Sequence, residues 1–363
     1  MRRRRSTPWL DALLSSVQSI TQGFLSPLPY IGIDLGTYQT RIWVPGKGIT
    51  LREHTMIVKQ ARGGTHEFTA IGNEAYQMLG KTPPEMQVYS PLERGRVSDF
   101  DGLVYFLDRC TQRALSTNQG NYKQFNALIS VPIGLTEVEE MALLEVGKKV
   151  GGRQVHLVEA PVALGFGLRM PVLENVGSAI VDMGGGTTEI SLLSLGGIVL
   201  SKVLPIGGHD ANEAIQNYLR IRYGLLVGEK TAEEVKHTLG SITTPQDFVI
   251  EVNGRSIENG MPKTIKVRNH LFYESLYPLF GQIIDALRDM VEETPPELVG
   301  DITKKGIVLT GMGSKFIDLD KYIQHELGVH VASSEEPADR LVKGLGWLIE
   351  HPDIMRRIAI RWP

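Results

Sequence analysis

The chain has 363 residues, enough at roughly 150 residues per domain for about two domains, each burying a core of its own. Apolar residues make up 42% and charged residues 22%, and 38 basic against 41 acidic side chains leave a net charge of −3, which excludes a disordered chain and gives no global pull toward nucleic acid. Cys110 is the only cysteine, so an intrachain disulfide and a cysteine-cluster metal site are excluded, and a reducing compartment fits best.

No run of roughly 18 uninterrupted apolar residues occurs, so a transmembrane helix is not expected. The chain opens on Arg2, Arg3, Arg4 and Arg5, then Thr7-Pro8, a good N-cap and first-turn pair. Trp9, Leu10, Leu13, Leu14, Val17, Ile20 and Phe24 then recur at three-to-four-residue spacing. Ser15, Ser16, Gln18 and Ser19 break the apolar run that a cleaved secretory signal needs. Residues 1–28 are therefore expected to form a basic amphipathic helix on an anionic membrane, with Trp9 at the interface and the arginines on lipid phosphate. The alternative is a helix packing the same stripe on the domain behind it.

After the break at Pro27 and Pro29, residues 30–44 read as strand, glycine turn, strand, with Asp34 ending the first strand and Gly36-Thr37 in the turn. The pattern returns at 179–192, where Asp182, Gly184, Thr188 and Ile190 match Asp34, Gly36, Thr40 and Ile42 at one constant offset of 148. A duplication explains this economically and predicts two related α/β halves facing each other across a cleft.

Between the hairpins, a strand from near Ala127 ends at Val131-Pro132, and 135–150 is helical in pattern, with Glu137, Glu139 and Glu140 in its first turns. A strand at 155–158 follows, Pro161 opens a helix, and 173–177 is a plausible hinge. In the second half, 212–222 and 231–239 read as helices. Residues 247–268 alternate around Asn253-Gly254 and Asn259-Gly260 as a small β-rich insertion. A long amphipathic helix is expected at 274–293, a strand at 306–310 running into Gly311-Met312-Gly313-Ser314, a helix at 338–350, and then the basic and apolar segment 356–363, read as a frayed end in preference to a second surface-binding tail.

Three glycine turns thus stand at strand ends: Gly36-Thr37, Gly184-Gly185-Gly186 and Gly311-Met312-Gly313. Glycine lets backbone amides approach phosphate oxygens without Cβ interference, so two facing turns can clamp a polyphosphate. Asp34 and Asp182 stand beside those turns and could orient a hydrated Mg²⁺, usually through water because this ion sheds its shell reluctantly. Each aspartate alone could be a turn-capping residue; the pair in duplicated context favours the metal role. Two look-alikes fail. Ala75 to Thr82 imitates a P-loop but has Ala where the first Gly is needed, and the histidines of His325-Glu-Leu-Gly-Val-His330 are five apart, so they do not share a helix face.

At these residues the chain resembles the actin superfamily, and within it the MreB-like bacterial actins. The similarity runs through Ile33-Asp-Leu-Gly-Thr37, Gly46-Lys-Gly-Ile49, Ala70-Ile-Gly-Asn-Glu-Ala75, Met78-Leu-Gly-Lys-Thr-Pro83, Val131-Pro-Ile-Gly134, Val181-Asp-Met-Gly-Gly-Gly-Thr-Thr-Glu189, Gly228-Glu-Lys-Thr-Ala-Glu233, Thr294-Pro-Pro-Glu-Leu298 and Gly306-Ile-Val-Leu-Thr-Gly311. The resemblance implies an actin-like α/β fold: two duplicated ribonuclease-H-like domains around a cleft that holds ATP and Mg²⁺. Thr37, Tyr38 and Gln39 match the first phosphate turn and Gly184 to Gly186, with Thr187, the second. Glu233 and Lys236 match the ribose and adenine side, and Gly311, Met312, Gly313 and Ser314 the adenosine loop.

The resemblance divides the chain into a membrane-binding segment 1–28, domain I at 29–170 with a small subdomain about 58–92 and completed by the helix 338–350, domain II at 171–337 with a small subdomain about 208–271, and a tail 351–363. It further implies filaments of self-associated subunits, peripheral on the inner face of the cell membrane, that work with membrane-embedded wall-synthesis proteins to set cell shape. Departures from the family pattern are Met312 where a third Gly is usual, His209 and Asn212 where acids are common, and Ala160 where the family has the Glu that activates water. At most weak ATPase activity is therefore expected, with Asp182 and Glu189 as the remaining acids. A chaperone-type ATPase and a metabolic kinase of the same fold are the rivals, although neither a peptide-binding module nor an inserted substrate domain is evident.

Overall fold

The computed structural model describes residues 28–62, 65–117, 120–121, 124–243 and 247–360. Arg2 to Arg5, Trp9, Leu13, Val17, Ile20 and Phe24 lie outside the described residues, as does the tail beyond Ile360.

Two five-stranded sheets organise the fold. In the first, Gly152–Glu159, Phe125–Val131, Tyr30–Leu35, Gln39–Val44 and Gly48–His54 lie side by side in that order; in the second, Gly197–Leu204, Thr188–Ser194, Ser178–Met183, Ile307–Thr310 and Val331–Ser333 do. Each sheet has an antiparallel three-strand meander whose first strand pairs in parallel with a strand from later in the chain. The duplication holds residue by residue. Asp34 pairs with Arg41 and Asp182 with Glu189, while on the parallel side Asp34 lies opposite Ser130 and Asp182 opposite Thr310.

Local chemistry accounts for the elements around these sheets. The helix Glu137–Lys149 starts in a capping box, Thr136 with Glu139, carries three acids in its first turn and ends on Lys148 and Lys149, matching the helix dipole at both ends. Ala160–Gly167 follows its strand directly, with Pro161 in the first turn, where a missing N–H costs nothing. Arg340–Glu350 crosses this helix at backbone contact: a Cβ on Gly167 would run into the Arg340 carbonyl, and one on Gly344 into that of Ala163. The late helix is thereby fastened to the first sheet, where Leu345 packs over Gly32.

Two smaller three-stranded sheets stand apart, one from Ile57–Arg62, Thr65–Ile71 and Met86–Tyr89, the other from Leu225–Leu226, Val249–Ser256 and Pro262–Arg268. In the second, Asn259-Gly260 lies in the turn as expected, but Asn253-Gly254 sits inside a strand, paired with Thr264 and Lys263. The glycine is needed there because a Cβ would meet the Leu226 carbonyl at 2.5 Å.

Two further expectations are corrected. The long helix runs Asn269–Glu293, starting ahead of Glu274, because Asn269 is buried and its side chain joins the Phe248 amide to the Leu239 carbonyl. The segment expected to fray, 356–363, is ordered as far as it is described: its start belongs to the helix Pro352–Ile358, which Met355, 2% exposed, anchors, and the Ile360 amide bonds to the Leu157 carbonyl at 2.9 Å. In the segment expected as a hinge, 173–177, the Gly177 amide donates to Asp301 at 2.8 Å and the Glu174 carbonyl accepts from Leu195 at 3.1 Å. Of the rejected look-alikes, Gly72–Met78 is a helix, and His325 lies in Leu319–Leu327 while His330 lies beyond that helix.

Candidate nucleotide cleft

The two duplicated hairpins point their turns at each other across a cavity of about 810 Å³, within the size range of small-molecule sites. Asp34, Gly36, Thr37, Tyr38 and Gln39 line it from the first sheet, and Asp182, Gly184, Gly185, Gly186, Thr187 and Glu189 from the second. The turns are close enough that a Cβ on Gly185 would meet Tyr38 Cβ at 2.6 Å. Glu233 and Lys236 also line the cavity, as do Gly311, Met312 and Gly313. Ser314 does not line the cavity; its hydroxyl donates back to the Gly311 carbonyl at 2.7 Å and closes the 3₁₀ turn Met312–Lys315 from behind. Gly311, at φ 76°, lies against the Asp182 carboxylate, where a side chain has no room.

The floor is acidic and buried. Burial pushes the Asp34 carboxyl up to about 6, against the pull of Arg41. Burial, then the Asp34 charge, raises Asp182 to about 7; burial, then Asp182 and Glu159, raises Glu189 to about 8. Glu189 Oε2 is buried without a hydrogen-bond partner, which marks a site short of positive charge and donors. Hard carboxylate oxygens in that state suit a hydrated divalent cation. Among the described residues no three His, Cys, Asp or Glu side chains form a metal cage, so such an ion would keep water or ligand oxygens in most of its positions.

Several lining residues were not legible by spacing. Arg41 is buried on the floor, its Nη1 3.5 Å from Asp34, its Nε 3.4 Å from Asp339, and its Nη2 donating to Gln39 Oε1 at 2.7 Å. The one signal for it was the 148-residue offset, which places it at the position of Glu189. Tyr76 and His54 stack with centroids 3.9 Å apart, and Lys230 sits 4.5 Å over the Tyr76 ring. The Tyr38 hydroxyl donates to Glu233 Oε1 at 2.5 Å and the Tyr76 hydroxyl to Glu233 Oε2, so one carboxylate of the second half of the chain holds two tyrosines of the first. Lys236 donates to the Gly208 carbonyl at 3.0 Å, and burial lowers its ammonium. His209 and Asn212 line the cavity beside it.

Ala160 lines the cavity at the start of its helix, whereas the neighbouring Glu159 does not. The Glu159 carboxyl is raised by burial and then by Glu140, a residue of the outer helix Glu137–Lys149.

Two matching halves closing glycine turns over a buried acidic floor define an actin-like protein. The MreB/Mbl protein family model matches residues 29–357, and the chain belongs to that family. Cell shape-determining protein MreB of Escherichia coli K12 is 38% identical over 328 residues, covering 89% of this chain and 94% of that protein. Cell shape-determining protein Mbl of Bacillus subtilis 168 is 34% identical over 328 residues, covering 89% and 96%. Among solved structures, MreB 5 of Spiroplasma citri bound to AMPPNP superposes with a TM-score of 0.85 at 28% identity, over 92% of this chain and 99% of that one. The MamK double helical filament shares the fold at a TM-score of 0.74 and 23% identity, over 89% and 98%.

Proposed function

We propose that this protein is an ATP-binding, membrane-associated actin homologue that polymerises into filaments and organises cell shape and lateral wall synthesis. The observation that carries the reading is the pair of opposed glycine turns, Gly36-Thr37 and Gly184 to Gly186, over Asp34 and Asp182. The Spiroplasma relatives at 28% and 29% identity, bound to AMPPNP and to ADP, support a nucleotide in the equivalent place. On this reading the chain divides at 29–170 with 338–350 and at 171–337, and the cleft between them is the nucleotide site.

The residues take their roles from placement. The two turns hold the phosphates through backbone amides. Asp34 and Asp182 orient the waters of a Mg²⁺ ion, which supplies charge neutralisation at the phosphates. Glu233 and Lys236 face the sugar and base, and Gly311 to Gly313 form the loop against the adenosine. Hydrolysis needs an aligned attacking water, and Ala160, standing at the cavity wall, offers no acceptor to align it. Nucleotide is therefore held firmly and hydrolysed slowly, which suits long-lived filaments.

Filament subunits meet head to tail, because a heterologous contact that does not close generates an open polymer. Sedimentation and negative-stain microscopy of the full chain with ATP and Mg²⁺, on and off lipid, test the assembly. Filaments are expected with nucleotide; a protein that stays monomeric at high concentration under all of these conditions is not a filament former.

A further inference from the structure

The strands Leu92–Glu93 and Arg96–Val97 pair as a tight hairpin, leaving Arg94 and Gly95 as its two-residue turn. Both turn residues have positive φ, 49° and 78°. That is the pattern of a type I′ turn, whose first position favours Asn, Asp or Gly and penalises a long side chain. Arg94 holds this unfavourable conformation while its guanidinium reaches into the other half. Its Nη1 donates to the Gly186 carbonyl at 3.2 Å and to the Pro205 carbonyl, and its Nη2 meets Asp210 Oδ1 at 3.2 Å. Asp210 is itself fixed, since its other oxygen accepts the Gly207 amide at 2.7 Å.

The same turn grips the first half. The Gly95 amide donates to Thr37 Oγ1 at 2.7 Å, and Ser90 Oγ donates to the Thr37 carbonyl at 3.2 Å. Thr37 belongs to the first glycine turn and Gly186 to the second. Two adjacent residues thus fasten both turns, and the Arg94 side chain is the part that crosses the cleft. The Gly184 and Gly185 carbonyls accept from Gly208 and His209 at 3.0 and 2.8 Å, within their own half, so Gly186 is where the second turn takes its bearing from the opposite side.

We propose that Arg94 is a positioning residue for the terminal phosphate of a nucleoside triphosphate, setting the spacing between the two turns that grip it. This rests on the reading of the cavity as a nucleotide site. A phosphate touched by one turn is indifferent to that spacing; a phosphate touched by both is not. Losing Arg94 should therefore weaken a triphosphate more than a diphosphate.

The test is calorimetric titration of the full chain, with Mg²⁺, against ADP and against a non-hydrolysable ATP analogue. Arg94→Asn deletes the guanidinium and suits the turn, so the ligand-free protein should still fold cooperatively. It should bind the analogue about tenfold more weakly and ADP less than about threefold more weakly, the loss expected when a charged hydrogen-bonding group is removed. Arg94→Lys, which keeps the charge but reaches one acceptor at a time, should fall between and gives the same comparison if the Asn variant does not fold. Equal losses for both nucleotides, or no loss, in a folded variant overturn the positioning role. Wild-type protein that binds neither nucleotide overturns the underlying nucleotide reading instead, and that outcome is visible before any variant is made.

Discussion

Arg41 stands directly opposite Asp34 in the first hairpin, with its Nη1 3.5 Å from the carboxylate, and the equivalent place opposite Asp182 in the second hairpin is taken by Glu189. One duplicated frame therefore carries opposite charges at the same position. The first half neutralises its acid internally, and the second concentrates two acids. Arg41 also reaches Asp339, at the start of the helix Arg340–Glu350, which joins the first hairpin to a helix nearly the whole chain away.

Replacing Arg41 by Leu should destabilise the ligand-free protein, because truncating one partner of a buried ion pair strands the other; such changes cost about 3–5 kcal/mol. Two features temper the loss. Asp339 keeps Arg52 at 2.8 Å, and Asp34 can take up a proton. A loss of about 3 kcal/mol at pH 7, shrinking at pH 5, is expected from denaturant unfolding. A loss below about 1 kcal/mol at pH 7 would show that the pair contributes little.

The floor carboxyls also set a pH dependence. Asp34, Asp182 and Glu189 are raised to about 6, 7 and 8, so the folded state holds their protons more tightly than the unfolded chain does. Their contribution to stability is complete below the ordinary carboxylate range and is lost as pH rises through those values. The ligand-free melting temperature should therefore fall between about pH 5.5 and 8.5, a window reaching about half a unit beyond the lowest and highest of the three. Glu189→Gln should flatten the upper part of the slope. A melting temperature that rises steadily across this window contradicts the assignment.

Restoring an acceptor at the cavity wall should accelerate hydrolysis. Ala160→Glu is expected to raise phosphate release by roughly 10²-fold or more, the range attributed to one positioned general base. Glu159→Ala should leave the rate unchanged, since Glu159 does not line the cavity. An inactive Glu159→Ala would reverse the assignment.

Membrane attachment is expected to reside in the first residues. Each arginine near an anionic surface contributes about 1 kcal/mol, and the apolar stripe of Trp9, Leu13, Val17, Ile20 and Phe24 adds a further term. Deleting residues 2–25 should abolish co-sedimentation with anionic liposomes, and high salt should weaken it in the intact chain. Undiminished binding after the deletion would move the anchor elsewhere, with the tail around Arg361 the next candidate.

By itself, the sequence determined the two hairpins, because Asp34-Leu-Gly36 and Asp182-Met-Gly184 join strands adjacent in the chain, and a local turn writes its register in nearby residues. The constant offset between the copies extended that reading to two related halves. Tertiary structure alone decided what those halves meet. Arg94 to Gly186, Arg41 to Asp339 and Tyr76 to Glu233 join residues distant in the chain, and no periodicity encodes such pairs. Packing also overruled local signals: the Leu226 backbone beside Gly254 holds a turn-like Asn-Gly pair inside a strand, and the helix anchored by buried Met355 runs on into residues 356–358, the start of a segment that reads as a frayed end. Turn propensities are worth a few tenths to about one kcal/mol each, and a buried side chain or a strand ladder outweighs them.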